Sequence, residues 1–178
     1  MENRTFKIVS TQSDISWVGK KVTGAHNGTI AVKGGELILN GNKLIGGKVI
    51  VDIASIKILD ISDPTTNAQF AGHLASDDFF STEKYPEAIL EITSVLGDQV
   101  GGNLTIKGIS HPIAFDAAVN LTHDTLIATG SLVIDRTKYG MKFRSGSFFQ
   151  NLGDTLIYNN FELNIVIAAK SGAGRNLY

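Results

Sequence analysis

The stretch YNNFELNIVI, residues 158–167, decides the fold class. Its apolar side chains recur at every second position, at Phe161, Leu163 and Ile165, and polar residues stand between them. Because successive side chains of a strand point to opposite faces of a sheet, the pattern predicts a strand with one buried and one solvated face. Residues 47–58 and 113–121 show the same alternation. We therefore predict an antiparallel sheet as the dominant structure.

Turn signals divide the chain into long segments. Pairs such as Asn40-Gly41 and Gly97-Asp98 supply positions that tolerate positive φ. About eight strands and a last long one are predicted, near residues 5–9, 14–22, 28–39, 43–58, 87–95, 99–107, 112–121, 126–135 and 155–169. Long antiparallel strands in a chain of 178 residues are typical of a closed barrel. We predict an all-β, eight-stranded antiparallel barrel in a single domain, 1–178, with its core over about 5–169.

One segment, SDPTTNAQFAGHLAS at 62–76, breaks the alternation. Asp63 followed by Pro64 is typical of an N-cap and a first helical residue. Phe70 and Leu74 are four residues apart and therefore share one helix face. We predict a short helix over about 64–75 that closes one end of the barrel.

Composition excludes several function classes. The chain has 16 Lys and Arg against 17 Asp and Glu and no basic run, which argues against nucleic acid as a partner. It has no Cys, so disulfides, thiolate catalysis and cysteine metal sites are excluded. No apolar run has the length of a transmembrane helix. The first residues, MENRTFKIVSTQS, show no signal peptide, so we expect a cytoplasmic protein, or a periplasmic one if a signal peptide has been removed.

Catalytic and metal motifs are weak. Ser81-Thr82-Glu83-Lys84 matches a Ser-x-x-Lys motif but lacks the companion motifs of that enzyme class. The adjacent Asp77 and Asp78 point opposite ways in an extended segment, so we expect capping or solvated carboxylates rather than a pair that shares a proton. The histidines have no metal-ligand spacing; they are His26, His73, His111 and His123. We predict no catalytic residues and no metal ligands.

Two aromatic segments are more informative. HLASDDFFSTEKYP, 73–86, places Phe79 and Phe80 among charged residues, where two large rings must bury against something. They either plug the core or form the wall of a ligand pocket, since an eight-stranded barrel is at the size where both occur. The second segment, 135–154, is an apolar loop, which is either buried or lines an apolar opening. Its large apolar residues are Tyr139, Met141, Phe143, Phe148 and Phe149.

Arg136 begins this second segment, at the end of a strand whose neighbours are predicted to be buried. A buried guanidinium needs a partner. An ion pair with Asp135, Asp77 or Asp78 is the favoured interpretation, and the polar head of a ligand is the alternative.

Taken in order, these segments resemble the YceI-like family. The resemblance covers about residues 5–169, and its specific parts are the run His-Leu-x-Ser-x-Asp-Phe-Phe and the run Leu-Thr-Ile-x-Gly-x-x-x-Pro. The matching segments are STQSDISWVGKKV (10–22), HNGTI (26–30), VDIASIKI (51–58), HLASDDFFSTEKYP (73–86), GNLTIKGISHPIAF (102–115) and IDRTKYGMKF (134–143).

The resemblance implies an extended, lipocalin-like barrel around an elongated apolar cavity. It implies a non-enzymatic protein that binds, stores or transports a long-chain amphiphilic lipid of the polyisoprenoid or isoprenoid quinone type, with no cofactor besides that lipid. A homodimer, transient membrane contact and, in many members, export to the periplasm are further expectations. The family's helix-loop motif falls on His73, Leu74, Ser76, Asp78, Phe79, Phe80, Tyr85 and Pro86, and its late Ile-x-Arg on Arg136.

On both grounds we predict a set of ligand-binding residues: Trp17, Leu74, Phe79, Phe80, Leu132, Ile134, Arg136, Tyr139, Met141, Phe143, Phe148, Phe149, Phe161, Leu163 and Ile165. Head-group contacts are predicted near the barrel mouth, from Arg136, Tyr139, Arg144 and Asp78. Two alternatives remain open. One is an enzyme acting on a lipid or quinone, with His73, Asp78 or Tyr139 as acid or base. The other is a filled barrel that serves as an interaction domain and contains no cavity.

Overall fold

A computed structural model of the chain describes residues 3–146 and 157–171. All strands of these ranges belong to one antiparallel sheet. The elements are β1 (Asn3–Ile8), β2 (Asp14–Lys21), β3 (Gly24–Asn40), β4 (Lys43–Ile58), α1 (Pro64–Ala75), β5 (Glu87–Leu96), β6 (Gln99–Ile106), β7 (Ile109–Thr122), β8 (Thr125–Asp135) and β9 (Ile157–Lys170).

The sheet closes into a barrel of eight strand positions. β1 and β2 share one position, interrupted by a 3₁₀ turn at Ser10–Gln12, because both pair with β3 and with β9. The remaining strands follow in the order β9-β8-β7-β6-β5-β4, and β4 pairs with β3 to close the circle. The prediction of an eight-stranded antiparallel barrel is confirmed, and closure leaves no long unpaired strand edge within the described sheet.

Half of the barrel is filled with side chains. This filled half is the end that carries the β3–β4, β5–β6 and β7–β8 turns. Its inward residues Phe6, Leu39, Leu126 and Ala169 are all 0% exposed. Register explains the packing, because Leu126 pairs with Ala169 and Leu39 lies beside the β1 strand that carries Phe6.

The opposite end carries the β2–β3 and β6–β7 turns and the helix α1. Asp63 caps the helix by accepting hydrogen bonds from the Thr66 amide (2.9 Å) and hydroxyl (2.7 Å). The Asn67 side chain donates to the Ile58 and Ile61 carbonyls and fixes the helix to the end of β4. The predicted helix over 64–75 is confirmed at both ends, with Pro64 at its first position. In the described ranges no helix is long and apolar enough to cross a bilayer.

Candidate functional site

The helix end of the barrel encloses a cavity of about 650 Å³. This volume lies in the range of roughly 300–1,000 Å³ that small-molecule sites occupy. Its deep wall is apolar and is formed by inward residues of the strands, among them Trp17, Ile30, Ile53, Leu104 and Leu163. We call this part of the barrel the hollow half. A cavity contradicts the hypothesis of a filled barrel.

Helix α1 and the loop after it cover the hollow half. The loop folds back on the helix through backbone hydrogen bonds from Phe79 to Ser76 (3.0 Å), from Phe80 to Leu74 (3.0 Å) and from Ser81 to Ser76 (2.8 Å). These bonds fix the backbone of both phenylalanines, and both side chains line the cavity. Phe79 is only 7% exposed. The segment 73–86 is therefore both the closure of the barrel and a wall of the pocket.

Three rings pack together under this cover. The His73 ring meets Phe79 edge-on at 5.1 Å and Phe143 edge-on at 4.6 Å between centroids, and Phe79 and Phe143 are 5.8 Å apart. Such edge-to-face contacts stabilise aromatic clusters beyond simple area burial. All three side chains line the cavity, so the helix, its following loop and the segment after Tyr139 meet at one wall.

The two adjacent carboxylates of the loop have different partners. Asp77 accepts a hydrogen bond from the Ser81 hydroxyl (2.6 Å), and this bond, helped by the charge of Lys84, holds the pKa of Asp77 below its ordinary value. The Asp78 carboxylate lies 2.9 Å from His73 Nε2. The loop therefore brings a His-Asp pair to the cavity wall through His73, whereas Asp78 itself does not line the cavity.

A second His-Asp pair lies beside Phe70 of α1. His26 Nδ1 is 2.8 Å from Asp60, and the His26 ring lies 4.9 Å from that of Phe70. Burial would raise the pKa of Asp60, but hydrogen bonds from the Asn27 amide and the His26 ring outweigh it and keep that pKa low. The described residues contain no group of three His, Cys, Asp or Glu that could hold a metal ion.

Arg136 does not have the partner that we favoured. Its guanidinium donates to three backbone carbonyls: Nε to Tyr158 (3.1 Å), Nη1 to Met141 (2.5 Å) and Nη2 to Ile157 (3.1 Å). Within the described residues no carboxylate lies within 4.0 Å of it. Asp135 instead accepts from the amide (3.0 Å) and hydroxyl (2.6 Å) of Thr137 and caps the 3₁₀ helix Arg136–Tyr139.

The predicted ion pair was therefore wrong for the described part of the chain, because Asp135 is occupied as a helix cap. Arg136 is only 4% exposed, and burial lowers its pKa, an effect that the charge of Asp135 partly offsets. Its guanidinium carbon lies 5.7 Å from the centre of the Phe79 ring, a cation–π distance. A buried cation thus stands on the cavity wall, held by carbonyl dipoles and one aromatic face.

The structure sorts the predicted ligand-binding residues into three groups. Those that line the cavity are Trp17, Leu74, Phe79, Phe80, Arg136, Met141, Phe143, Phe161 and Leu163, together with Arg144 from the head-group set. Those that do not line it are Leu132, Ile134, Tyr139 and Ile165. Phe148 and Phe149 lie outside the described residues. Whether the first group binds a ligand stays a prediction.

The second group has a physical reason for its position. Leu132 and Ile134 are 6% and 2% exposed and belong to the packed core. Tyr139 is 2% exposed, and its ring packs edge-on against His111 of β7, 5.2 Å away. Burial raises the pKa of its hydroxyl. The 3₁₀ helix therefore directs Tyr139 into the core, and only its neighbours Arg136 and Met141 reach the cavity.

Sequence reasoning missed several lining residues. Phe70 shared a helix face with the predicted Leu74, and this spacing was a usable signal. Lys20, Lys21 and Asn160 also line the cavity. They stand in stretches that read as ordinary polar strand ends, so no pattern distinguished them.

Comparison with known proteins agrees with this architecture. Residues 6–169 match the model of the YceI-like domain. A UPF0312 protein of Staphylococcus aureus is 37% identical over 97 residues, which are 51% of this chain and 57% of the relative. A UPF0312 protein of Staphylococcus epidermidis is 35% identical over 105 residues, 53% of this chain and 61% of the relative. The alignments thus span somewhat more than half the length of these curated relatives.

Two solved structures share the fold. Burkholderia cenocepacia BcnA superimposes with a TM-score of 0.70 at 19% identity and covers 92% of this chain and 99% of its own. A polyisoprenoid binding domain from Saccharophagus degradans gives a TM-score of 0.67 at 15% identity, over 94% of this chain and 98% of its own. The family model covers nearly the whole barrel, and we conclude that the chain belongs to the YceI-like domain family.

Proposed function

We propose that this protein binds a long-chain amphiphilic lipid, of the polyisoprenoid or isoprenoid quinone type, and stores or transports it without changing it chemically. The observation that carries the proposal is the apolar cavity of about 650 Å³ under α1. A related fold described as a polyisoprenoid binding domain supports the ligand class. The proposal includes a homodimer and a cytoplasmic or periplasmic location.

The energetics fit a hydrocarbon chain. Each CH₂ that leaves water for an apolar environment contributes about 0.8 kcal/mol, so a long prenyl chain needs few polar contacts to bind. The deep wall offers such an environment, because Trp17, Ile30 and Leu104 are each less than 10% exposed and face the same space. Burial of a flexible chain also costs rotational freedom, which lowers the net gain per carbon.

Mass spectrometry of gently purified protein tests the proposal. The native mass is measured first, and the mass of the solvent extract second. A long-chain lipid present at one molecule per protein is expected. A protein that carries no lipid and takes up neither a prenyl quinone nor a polyprenol would contradict it.

A second function, an enzyme acting on the bound lipid, rests on one observation. His73 lines the cavity and is held 2.9 Å from Asp78, which is the arrangement of an oriented acid or base. The test is the mass of a prenyl quinone after long incubation with wild-type protein and with His73→Ala. Conversion that is lost in a folded His73→Ala protein would establish catalysis, and an unchanged ligand in both would remove this candidate.

A further inference from the structure

The full charges on the cavity wall all have the same sign. Among the described lining residues, four carry a permanent positive charge: Lys20, Lys21, Arg136 and Arg144. No Asp or Glu of the described ranges lines the cavity. Composition does not explain this bias, because the chain has 16 basic and 17 acidic residues.

Three of the four cations have no carboxylate within ion-pair distance among the described residues. Lys20 forms an ion pair with Glu162 at 3.1 Å. No carboxylate of the described ranges lies within 4.0 Å of Lys21, Arg136 or Arg144. Arg144 lies 4.9 Å over the Phe143 ring, a cation–π contact with a neutral partner that leaves the net positive charge of this wall unchanged.

The cations gather at one end of the cavity. Lys21 is the last residue of β2 and pairs with Ile157, the first residue of β9. The Ile157 amide donates to the Arg144 carbonyl (2.8 Å), and the Ile157 carbonyl accepts from Arg136. Ile157 therefore joins three of the charged residues at the helix end. The deep wall around Trp17, Ile30 and Leu104 is apolar, so the cavity has an apolar interior and a basic mouth.

We propose that the ligand carries an anionic head group, a phosphate or a carboxylate, which Arg136, Lys21 and Arg144 hold at the mouth while the chain lies in the hollow half. This inference rests on the lipid-binding proposal and adds the head-group class and the orientation. Arg136 uses three of its five N–H donors on carbonyls, so two are left for head-group oxygens. Charge-assisted hydrogen bonds of this kind are about twice as strong as neutral ones.

The test compares two ligands that differ only in the head. Dissociation constants of the delipidated protein are measured for geranylgeranyl phosphate and for geranylgeraniol at low and high salt. The phosphate is expected to bind at least about tenfold more tightly, and salt is expected to weaken this preference. The same measurement with hexadecanoate and hexadecanol distinguishes a carboxylate from a phosphate, and a preference for either anion supports the inference.

Variants then test whether the basic residues at the mouth cause the preference for anionic ligands. The double variant Lys21→Gln/Arg144→Gln changes two exposed side chains and is expected to lower the anion preference several-fold with unchanged affinity for the alcohols. Lys7→Gln/Lys43→Gln, at the filled end, removes the same charge and is expected to leave the preference intact. Arg136→Met is expected to abolish most of it, and its fold is checked by circular dichroism because Arg136 also donates to the backbone of Met141 and of β9.

Two results would overturn the inference in distinguishable ways. Equal affinity for alcohols and anions in the wild-type protein, or an anion preference that survives the mouth double variant and Arg136→Met, would refute the anionic head group while leaving lipid binding intact. Absence of binding to all four ligands would refute the lipid proposal itself and this inference with it.

Discussion

The two halves of this barrel are built from the same alternating strands and differ in what fills them. In the filled half Phe6, Leu39 and Leu126 are 0% exposed and belong to one hydrophobic core. In the hollow half the inward residues Ile53, Leu104 and Leu163 face a cavity instead. Strands β3, β4 and β9 run through both halves, so neither strand type nor hydrophobicity distinguishes them.

The position of the aromatic side chains explains why only one half of the barrel has room for a ligand. Phe6 of the filled half is fully buried, while four of the five described phenylalanines that line the cavity stand in the covering helix and loops, namely Phe70, Phe79, Phe80 and Phe143. The hollow half is thus sealed from outside rather than filled from within. An eight-stranded barrel has an interior that side chains just fill, so moving the bulk to a cover leaves room for one ligand.

The largest expected effect is on ligand loading. Leu163 pairs with Trp17 and Leu132 and faces the cavity, so Leu163→Arg places a charge where the chain of a lipid is proposed to lie. We expect loading to fall below detection in the native mass spectrum, because desolvating a guanidinium is costly.

The control for this variant is Val166→Arg on the same strand. Val166 is 39% exposed, so the new charge stays in water and full loading is expected. Circular dichroism confirms that both proteins fold. Full loading in a folded Leu163→Arg protein would show that the cavity is not the lipid site.

The second effect concerns stability and contrasts the halves directly. Leu39→Ala in the filled half is expected to lower the free energy of unfolding by about 3–5 kcal/mol, because it opens a new void in a packed core. Leu163→Ala is expected to cost about 1–2 kcal/mol, since its side chain already lacks neighbours on the cavity side. Urea unfolding of the lipid-free protein measures both losses. Equal losses of unfolding free energy would contradict the difference in packing between the filled half and the hollow half.

The third effect tests how tightly neighbouring residues pack against Gly28 in the wall of the hollow half. A Cβ at Gly28 would lie 1.8 Å from the Lys57 carbonyl oxygen and 2.6 Å from the Trp17 ring. Gly28→Ala is therefore expected to lower the free energy of unfolding by about 1–3 kcal/mol. Gly34→Ala, whose Cβ would have no neighbour within 4 Å, is the control and is expected to stay within about 0.5 kcal/mol of wild type. If Gly34→Ala unfolded at a lower temperature than Gly28→Ala, the close approach of Lys57 and Trp17 to Gly28 would be contradicted.

The smallest effect is a pH dependence at the cover. Because the pKa of Asp60 is lowered in the fold, its stabilisation is present above the ordinary carboxyl pKa of about 3.9 and is lost as the pH falls through the folded pKa. We expect Asp60→Asn to unfold more easily than wild type at pH 7 and the difference to shrink below about pH 4. Thermal unfolding between pH 7 and pH 2 measures it, with Asp98→Asn in the exposed β5–β6 turn as the control for one lost charge. If the difference in unfolding temperature between Asp60→Asn and wild type did not change with pH, ionised Asp60 would not stabilise the folded protein.

Much of the cover was predictable from local sequence. Asp63 followed by Pro64 fixed the start of α1, and the helix-loop motif brought Phe79 and Phe80 to the cavity wall. The partner of Arg136 was not predictable, because Asp135 beside it was already used as the cap of a 3₁₀ helix. The burial of Tyr139 in the core could not be predicted either, because a short 3₁₀ helix turns each successive side chain to a new direction.

By itself, the sequence determined the alternating strand pattern, helix α1 and the aromatic residues of the loop that follows it. These features follow from local rules, because a period of two and a helix cap act within a few residues. Only the tertiary structure decided which inward residues meet a neighbour and which meet empty space, and that four cations share one cavity wall without a described carboxylate. Strand register and closure determine what lies across the barrel, and both arise from contacts between residues far apart in the chain.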